Sequence, residues 1–406
     1  MLGLLAATGS VALAAVVGRA AAPAARLAPV AAAATCAALV ASPLFGGSVV
    51  NGEVLGLPFV LAGAAAALRA VSRSSVGWAV AAGAAAVSAA LVKQSLVDVF
   101  LLGLVLLAVH RRRLGGRAVV RLLGAALGGV LLVLVPVAAA TAALGTDLVD
   151  LFRAVVVFRG EAAEVISRSA PATTTDRLGG VLLALLGSLA PLVAVVLALV
   201  VRRPARLRAS VPDLRWPAAA LVAWELLVVH LGGSYWLHYL MGLVPGMVLL
   251  AAAAAQRADV VGARLRRAVL VSYAGLGLST VVALGWIVVD PYERPEEPAI
   301  AYLTEHVRPG DTGLVAFGAA NIAREAGLDS DYPHLWSLPV RVLDPRLREL
   351  AHLLASDDRP TWVVTVGRSL GTWGVDPAAA APYLREHYEE RATTGRFTIY
   401  HVLEES

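Results

Sequence analysis

Apolar residues dominate the first 289 positions in about ten blocks of membrane-crossing length, and short polar gaps separate them. The blocks are 2–18, 27–41, 54–68, 76–92, 96–109, 122–143, 181–201, 216–231, 239–255 and 268–289, each predicted to be a helical span. A hydrocarbon core of ~30 Å needs ~20 helical residues, and several blocks are shorter. Short blocks predict helices buried in a bundle, broken, or extended by interfacial polar residues. Blocks 76–92 and 96–109 are separated only by Lys93, Gln94 and Ser95, which fits a tight hairpin or one long broken helix. The parity of the arginine-rich gaps favours the hairpin.

After residue 290 the pattern changes. Helical spacing over 298–307, 345–354 and 377–388 alternates with strand-like runs at 313–317, 361–366 and 397–402, which predicts a small α/β domain with its own core. This tail carries no Gly-rich phosphate loop, no metal-spaced Cys/His set and no nucleophile elbow. The predicted organisation is thus an α-helical polytopic membrane bundle over 1–289 and an α/β domain over 290–406. The polar segment 145–178 interrupts the bundle. Leu148, Leu151, Val155 and Phe158 recur there at helical spacing between charged residues, so it begins as an interfacial amphipathic helix. The stretch 167–176 reads as flexible, fitting either a lid or an ordinary connector.

Composition and charge fix class and orientation. Hydrophobic residues make up 58% of the chain and charged ones 16%, which excludes an ordinary soluble domain. Residues 290–406 hold 11 Arg against 19 Asp plus Glu, a net of −8, whereas 1–289 hold 23 Lys plus Arg against 10 acids, a net of +13. The positive charge falls in the alternate gaps 19–26, 69–73, 111–121, 202–208 and 257–267. The positive-inside rule places those gaps in the cytoplasm and the acidic tail outside; nucleic acid is not an expected partner. The Arg-for-Lys and Ala/Val/Leu/Gly bias fits a bacterial plasma membrane. Cys36 stands alone in an apolar block, so the chain has no intramolecular disulfide.

Ionisable groups in or at the rim of a membrane bundle are costly and therefore candidate functional residues. Three groups lie at the predicted outer rim. Asn51, Gly52 and Glu53 open the third span. Glu53 there is either a carboxylate stabilised by the helix dipole, by about 0.3–1 kcal/mol, or a general base, metal ligand or sugar-hydroxyl acceptor. Lys93, the only lysine, defies the charge pattern beside Gln94; it either pairs with an anion or snorkels to lipid phosphate. The third group is Tyr235, Trp236, His238 and Tyr239. The aromatics fit an interfacial belt, whereas His238 fits phosphate binding, proton transfer or a bond to a backbone carbonyl.

These motifs resemble the polytopic GT-C glycosyltransferases, in the branch of the protein mannosyltransferases (glycosyltransferase family 39) and lipid A aminoarabinose transferases. The resemblance rests on Asn51-Gly52-Glu53, on His238-Tyr239-Leu240-Met241-Gly242-Leu243-Val244-Pro245, and in the tail on 330–339 and Tyr383, Tyr388 and Gly395-Arg396-Phe397. It implies a polyprenyl-phosphate-linked sugar as donor, transfer at the outer face, and a lipid, glycan or protein acceptor. Glu53 would be the catalytic acid/base, and Asn51, Lys93, Gln94, Tyr235, His238 and Tyr239 would bind substrate. Some members use a divalent metal, for which this sequence names no ligand set.

One departure from the pattern stands out. The family opens with a cytoplasmic terminus, one span and a long outer loop bearing an acid and often Lys-Pro-Pro, whereas this chain begins in an apolar block. Charge topology puts Met1 outside, so a further upstream span and acidic loop are expected to precede it. A transporter or flippase, and a catalytically inactive scaffold, are the alternative functions.

Overall fold

The computed structural model describes residues 1–168, 171–205, 207, 211–291 and 293–403. Arg206 and Arg208 of the basic gap 202–208, and residues 169–170 of the stretch 167–176, lie outside the described residues. The chain divides into two compact units, one of 1–148 with 172–291 and one of 149–171 with 292–406.

The first unit is helical. Its helices are α1 (Leu2–Ala21), α2 (Ala28–Val40), α3 (Gly52–Arg73), α4 (Val76–Val92), α5 (Asp98–Leu114) and α6 (Gly116–Ala143). After a segment that belongs to the second unit, α7 (Leu148–Phe152) and α8 (Phe158–Arg168), come α9 (Pro171–Gly187), α10 (Ala190–Val201), α11 (Arg215–Leu231), α12 (Leu243–Ala255) and α13 (Ala263–Val289). Each predicted apolar block except 181–201 coincides with a helical segment, and 76–92 and 96–109 form a hairpin. Among the described residues, five helices are long and apolar enough to cross a membrane, or six with one bent pair.

That bent pair corrects the single span expected over 181–201: α9 and α10 meet at 56°. Leu189 takes a left-handed conformation (φ 59°), and Pro191 follows in the first turn of α10. Proline has no N–H to give to the preceding turn and clashes with its carbonyl, so the helix cannot run straight through. Ser188 Oγ accepts the freed Ala190 N–H at 3.1 Å. The expected flexible stretch before it is also corrected: α9 is helical from Pro171 onward.

Helix α3 and the segment Leu237–Ala255 are central, with 72% and 83% of their apolar windows buried, against 11% for α6 and 17% for α13. The outward faces of α6 and α13 carry Leu127, Leu132, Val135, Leu270, Leu278 and Val281, a surface suited to lipid chains. Helices α4 and α6 approach until backbones touch. A Cβ on Gly83 would collide with the Ala126 carbonyl, and one on Gly129 with the Val80 carbonyl. Polar side chains link helices instead of facing hydrocarbon: Thr35 bonds Tyr273 at 2.6 Å, and Thr280 donates to the Ala38 carbonyl at 3.1 Å.

The end of α5, the segment before α11 and the end of α12 share a polar lock, which also reaches the end of α1. Arg257, 2% exposed, bonds Asp213 at 2.9 Å and the Ala253 carbonyl at 2.8 Å. Gln256 donates to the carbonyls of Ala21 and Pro212, both at 2.8 Å. His110 Nε2 accepts the Asp213 N–H at 3.0 Å. Partial burial opposes ionisation of Asp213, but hydrogen bonds from Arg215 and Arg257 outweigh it and hold the carboxyl below its ordinary value.

The second unit contains a four-stranded sheet in the order β1-β2-β4-β3: β1 (Gly313–Ala316), β2 (Trp362–Val366), β3 (Tyr388–Thr394) and β4 (Phe397–Val402). β1 and β2 are parallel; β4 runs antiparallel to both β2 and β3. Alternation of side chains sorts the sheet into two cores. Leu314, Ala316 and Val363 face α16 (Ser337–Leu343), α17 (Arg348–Ala355) and α18 (Ala381–His387), through Val340, Leu350, Leu354 and Leu384. Val315, Trp362, Val364 and Ile399 face α14 (Glu297–His306) and α15 (Asn321–Ala326), through Ala299, Leu303 and Ile322. The result is an α/β/α sandwich, and α8 packs on α16 in the same unit. Asp344 stitches one layer together: it accepts the N–H groups of Arg348 (2.7 Å) and Leu350 (3.1 Å) and the hydroxyl of buried Tyr332 (3.0 Å).

Candidate functional site

The polar side chains of the bundle's other end converge on the start of α3. Asn51 is its N-cap: Oδ1 accepts the Val54 N–H at 3.0 Å while Nδ2 donates to the Val49 carbonyl. Glu53 follows in the first turn, 5% exposed. Its Oε1 takes the ammonium of Lys93, which ends α4, and its Oε2 is buried without a hydrogen-bond partner. The lysine ammonium also lies 4.8 Å from the centroid of the Tyr239 ring. Of the two readings open for Lys93, pairing with an anion is the one realised.

Tyr239 and His238 sit on a 3₁₀ turn, Leu237–Gly242, that leads into α12. Gly46 (φ +75°) permits the close approach of this turn, since a Cβ there would lie 2.7 Å from His238 Cα. The His238 ring meets Tyr239 edge-on at 5.1 Å and stacks loosely on Trp236, with centroids 6.4 Å apart and 11° between the planes. Arg177 of α9 covers the other ring, its Cζ 4.3 Å from the Trp236 centroid. Glu53, Lys93, Tyr239, His238, Trp236 and Arg177 therefore form one continuous row of charge and ring contacts. Tyr235 bonds the His230 carbonyl at 3.2 Å, and Gln94 is exposed in the turn after Lys93.

Two acids join this region that the sequence reading did not select. Asp98 opens α5 and is 1% exposed; beyond the Glu225 carboxyl and its own backbone, its carboxyl oxygens have no hydrogen-bond partner. Glu225 lies within α11, 3% exposed, with Oε1 likewise unpartnered. The two carboxyls interact with each other, and Glu225 also feels the charge of Glu53. Glu225 Oε2 lies against Gly242, where a Cβ would strike it. Glu225 had a signal, since an acid in the middle of an apolar span is a functional candidate by itself. Asp98 had none, because an acid at a helix start reads as an ordinary dipole partner. Among the described residues no three His, Cys, Asp or Glu side chains are grouped to hold a metal ion.

No protein-family model matches the sequence, and no curated protein is similar to it. Among solved structures, ArnT from Cupriavidus metallidurans, bound to undecaprenyl phosphate, matches with a TM-score of 0.57 at 17% identity, over 99% of this chain and 83% of that one. The chain thus shares the fold of that ArnT structure. The structure has both parts expected from the sequence, a helical bundle and a small α/β domain. In this bundle the row from Glu53 to Arg177 gathers one carboxyl group, one lysine, one arginine and one imidazole. Such a set is equipped to take a proton from a hydroxyl and to hold an anion nearby.

Proposed function

We propose that this protein is a membrane glycosyltransferase that moves a sugar from a polyprenyl-phosphate-linked donor to a lipid, glycan or protein acceptor. Transfer takes place at the outer face of a bacterial plasma membrane, with the α/β domain on the extracytoplasmic side. The observation that carries this reading is the meeting of Glu53 and Lys93 with His238 and Tyr239 at one end of a GT-C bundle. The undecaprenyl phosphate bound to the ArnT neighbour supports the class of donor.

In the proposed reaction Glu53 takes the proton of the acceptor hydroxyl as its oxygen bonds to the anomeric carbon. The bond from that carbon to the phosphate oxygen breaks, and polyprenyl phosphate departs with the electron pair. Protonation neutralises Glu53 and so weakens its hold on Lys93, which is then available to the leaving phosphate together with Arg177. His238 packs edge-on against Tyr239, the ring that faces Lys93, and orients or donates to the same anion.

The bent α9–α10 pair favours one other reading, a transporter or flippase, because broken spans are common in that class. The separating experiment incubates the full chain in nanodiscs with radiolabelled polyprenyl-phosphate hexose and a membrane acceptor extract. Label passing from the donor lipid to an acceptor supports the transferase. Donor that crosses a bilayer in proteoliposomes while keeping its label supports the transporter.

A further inference from the structure

We infer that the ends of α3, α5 and α6 remote from Glu53 form a binding site for the headgroup of an acidic phospholipid. Glu53 opens the 22-residue helix α3 and Arg73 closes it, so the two lie ~33 Å apart along the axis. Seven arginines gather at the Arg73 end: Arg69 and Arg73 on α3, Arg111 to Arg113 ending α5, and Arg117 and Arg121 opening α6. The chain supplies them with no acid. No Asp or Glu stands between Glu53 and Asp98 or between Asp98 and Asp147, and those three acids flank the opposite ends of the same helices. Among the described residues no carboxylate pairs with Arg69, Arg73, Arg111, Arg112, Arg117 or Arg121. The polar lock nearby is built differently, since Asp213 answers both Arg215 and Arg257 there.

Charge asymmetry between loops asks only for cations on one side. Here they are also pinned around a single turn. Arg113 donates to the Val71 carbonyl at 3.1 Å, and Arg121 reaches the Ser74 carbonyl at 3.5 Å, where α3 gives way to α4. Arg69 places its Cζ 4.6 Å from the ring centroid of Trp78, in the first turn of α4. A guanidinium carries five N–H donors in a planar fork, so Arg121 on one carbonyl and Arg69 on a ring face can still take a phosphate. The surface beside them selects a lipid over a free anion. Val120, Leu123, Leu127 and Leu131 are exposed and recur at helical spacing, an apolar stripe that runs down α6 from Arg117 and Arg121. Inorganic phosphate or an acidic peptide would engage the arginines and leave that stripe bare. A glycerophospholipid covers both, with its phosphate on the guanidiniums and an acyl chain along α6.

The test uses the purified full chain in neutral detergent with phosphatidylglycerol, cardiolipin or phosphatidylcholine, and native mass spectrometry counts the lipid retained. The wild type is expected to hold at least one acidic lipid about tenfold or more tightly than phosphatidylcholine, with the difference shrinking as salt is raised. Arg73→Gln/Arg117→Gln/Arg121→Gln is expected to lose most of that preference. Arg202→Gln/Arg203→Gln/Arg264→Gln removes the same charge from two other arginine-rich gaps and is expected to stay within about twofold of wild type. On the wild type, phosphatidylglycerol with a photoactivatable group on its acyl chain is expected to label α6 between Val120 and Leu131.

A wild type that retains the three lipids equally overturns the inference. So does a first triple variant that binds as wild type, and so does an equal loss in the two triple variants, which marks a diffuse cationic field and no site. If the first triple variant has a lowered thermal midpoint before any lipid is added, the photolabel on the wild type decides. Label concentrated on α6 upholds the site, and label spread evenly over the lipid-facing helices or confined to others overturns it.

Discussion

Lys93 is held between two partners, the carboxylate of Glu53 and the face of Tyr239, whose centroid lies 4.8 Å from its ammonium. Removing the lysine leaves a 5%-exposed carboxylate without a cation, whereas removing both charges leaves two neutral groups. Lys93→Met is therefore expected to lower the thermal midpoint of the full chain, and Glu53→Gln/Lys93→Met to recover a large part of the loss. A double-mutant cycle measures this coupling. Additive effects of the two single changes are incompatible with a shared ion pair. In a transfer assay, Glu53→Gln is expected to cut turnover about 10²-fold or more if it is the base. A change below about threefold leaves Glu53 as a helix-terminal acid.

Arg177 and Trp236 form the far end of the same row, and among the described residues no carboxylate pairs with this guanidinium. Arg177→Ala is expected to weaken binding of bare undecaprenyl phosphate about five- to twentyfold. Trp236→Ala should do part of the same, because the indole face positions the guanidinium by a cation–π contact of about 0.5–2 kcal/mol. Affinities measured at two salt concentrations check the assignment. A variant that binds as wild type at both removes Arg177 from the phosphate site.

How much of this was legible from residues alone differs by element. Lys93 stood out because a cation at that rim breaks the charge alternation, and its true partner, Glu53, had been singled out for an independent reason. Arg177 was hidden because 167–176 reads as a polar connector, whereas α9 begins at Pro171 and carries the arginine back to the rim. The break at Leu189 had a cue in Pro191 that the surrounding run of Leu, Val and Ala masked. Strand β3 had none: Tyr388–Thr394 is an edge strand exposed along most of its length, without the apolar alternation that marks half-buried strands. The helix expected over 377–388 therefore ended one residue into a strand.

Asp213 gives a pH prediction. Its folded-state carboxyl is held below the ordinary value, mainly by Arg215 and Arg257 working against partial burial. Such a group stabilises the fold above its unfolded pKa of about 3.9, and the contribution is lost as pH falls through the lower folded value. Asp213→Asn is expected to cost about 1.5–3 kcal/mol, the range for hydrogen bonds to charged groups. The gap between wild type and variant should hold constant from pH 8 to about pH 5 and narrow below about pH 4. Thermal unfolding in detergent across that series is the check, and a gap unchanged at pH 3 removes the ionised Asp213 from the lock.

In the α/β unit, Tyr332 donates to Asp344, which already receives two backbone N–H groups at the start of α17. Burial and the neighbouring Asp344 carboxylate push the tyrosine hydroxyl up in pKa, so it stays a donor well into alkaline solution. Tyr332→Phe keeps the buried ring and removes one donor while the two N–H groups remain. The expected loss is about 1.5–3 kcal/mol, the range for a hydrogen bond to a charged group. Hydrogen exchange on the full chain should show faster opening of 344–355, with little change in α1–α6. Unchanged protection there would mean that the backbone donors alone hold the aspartate.

Orientation is the prediction on which the proposed site of transfer depends. The arginine-rich gap 257–267 precedes α13, and the residues from 290 onward carry a net charge of −8. If α13 crosses the bilayer with that gap inside, the acidic domain emerges on the other face. The same alternation puts the turn between α4 and α5, with Lys93, on the emerging side, and Glu53 lies with it through their ion pair. A reporter that fluoresces only in the cytoplasm, fused after Ser406, should be dark, and a periplasmically active phosphatase fused there should be active. A second fusion in the gap between α5 and α6, at Gly115, should give the opposite pair of results. Fluorescence from the first fusion would place Glu53, Lys93 and His238 on the cytoplasmic face and end the proposal of transfer at the outer one.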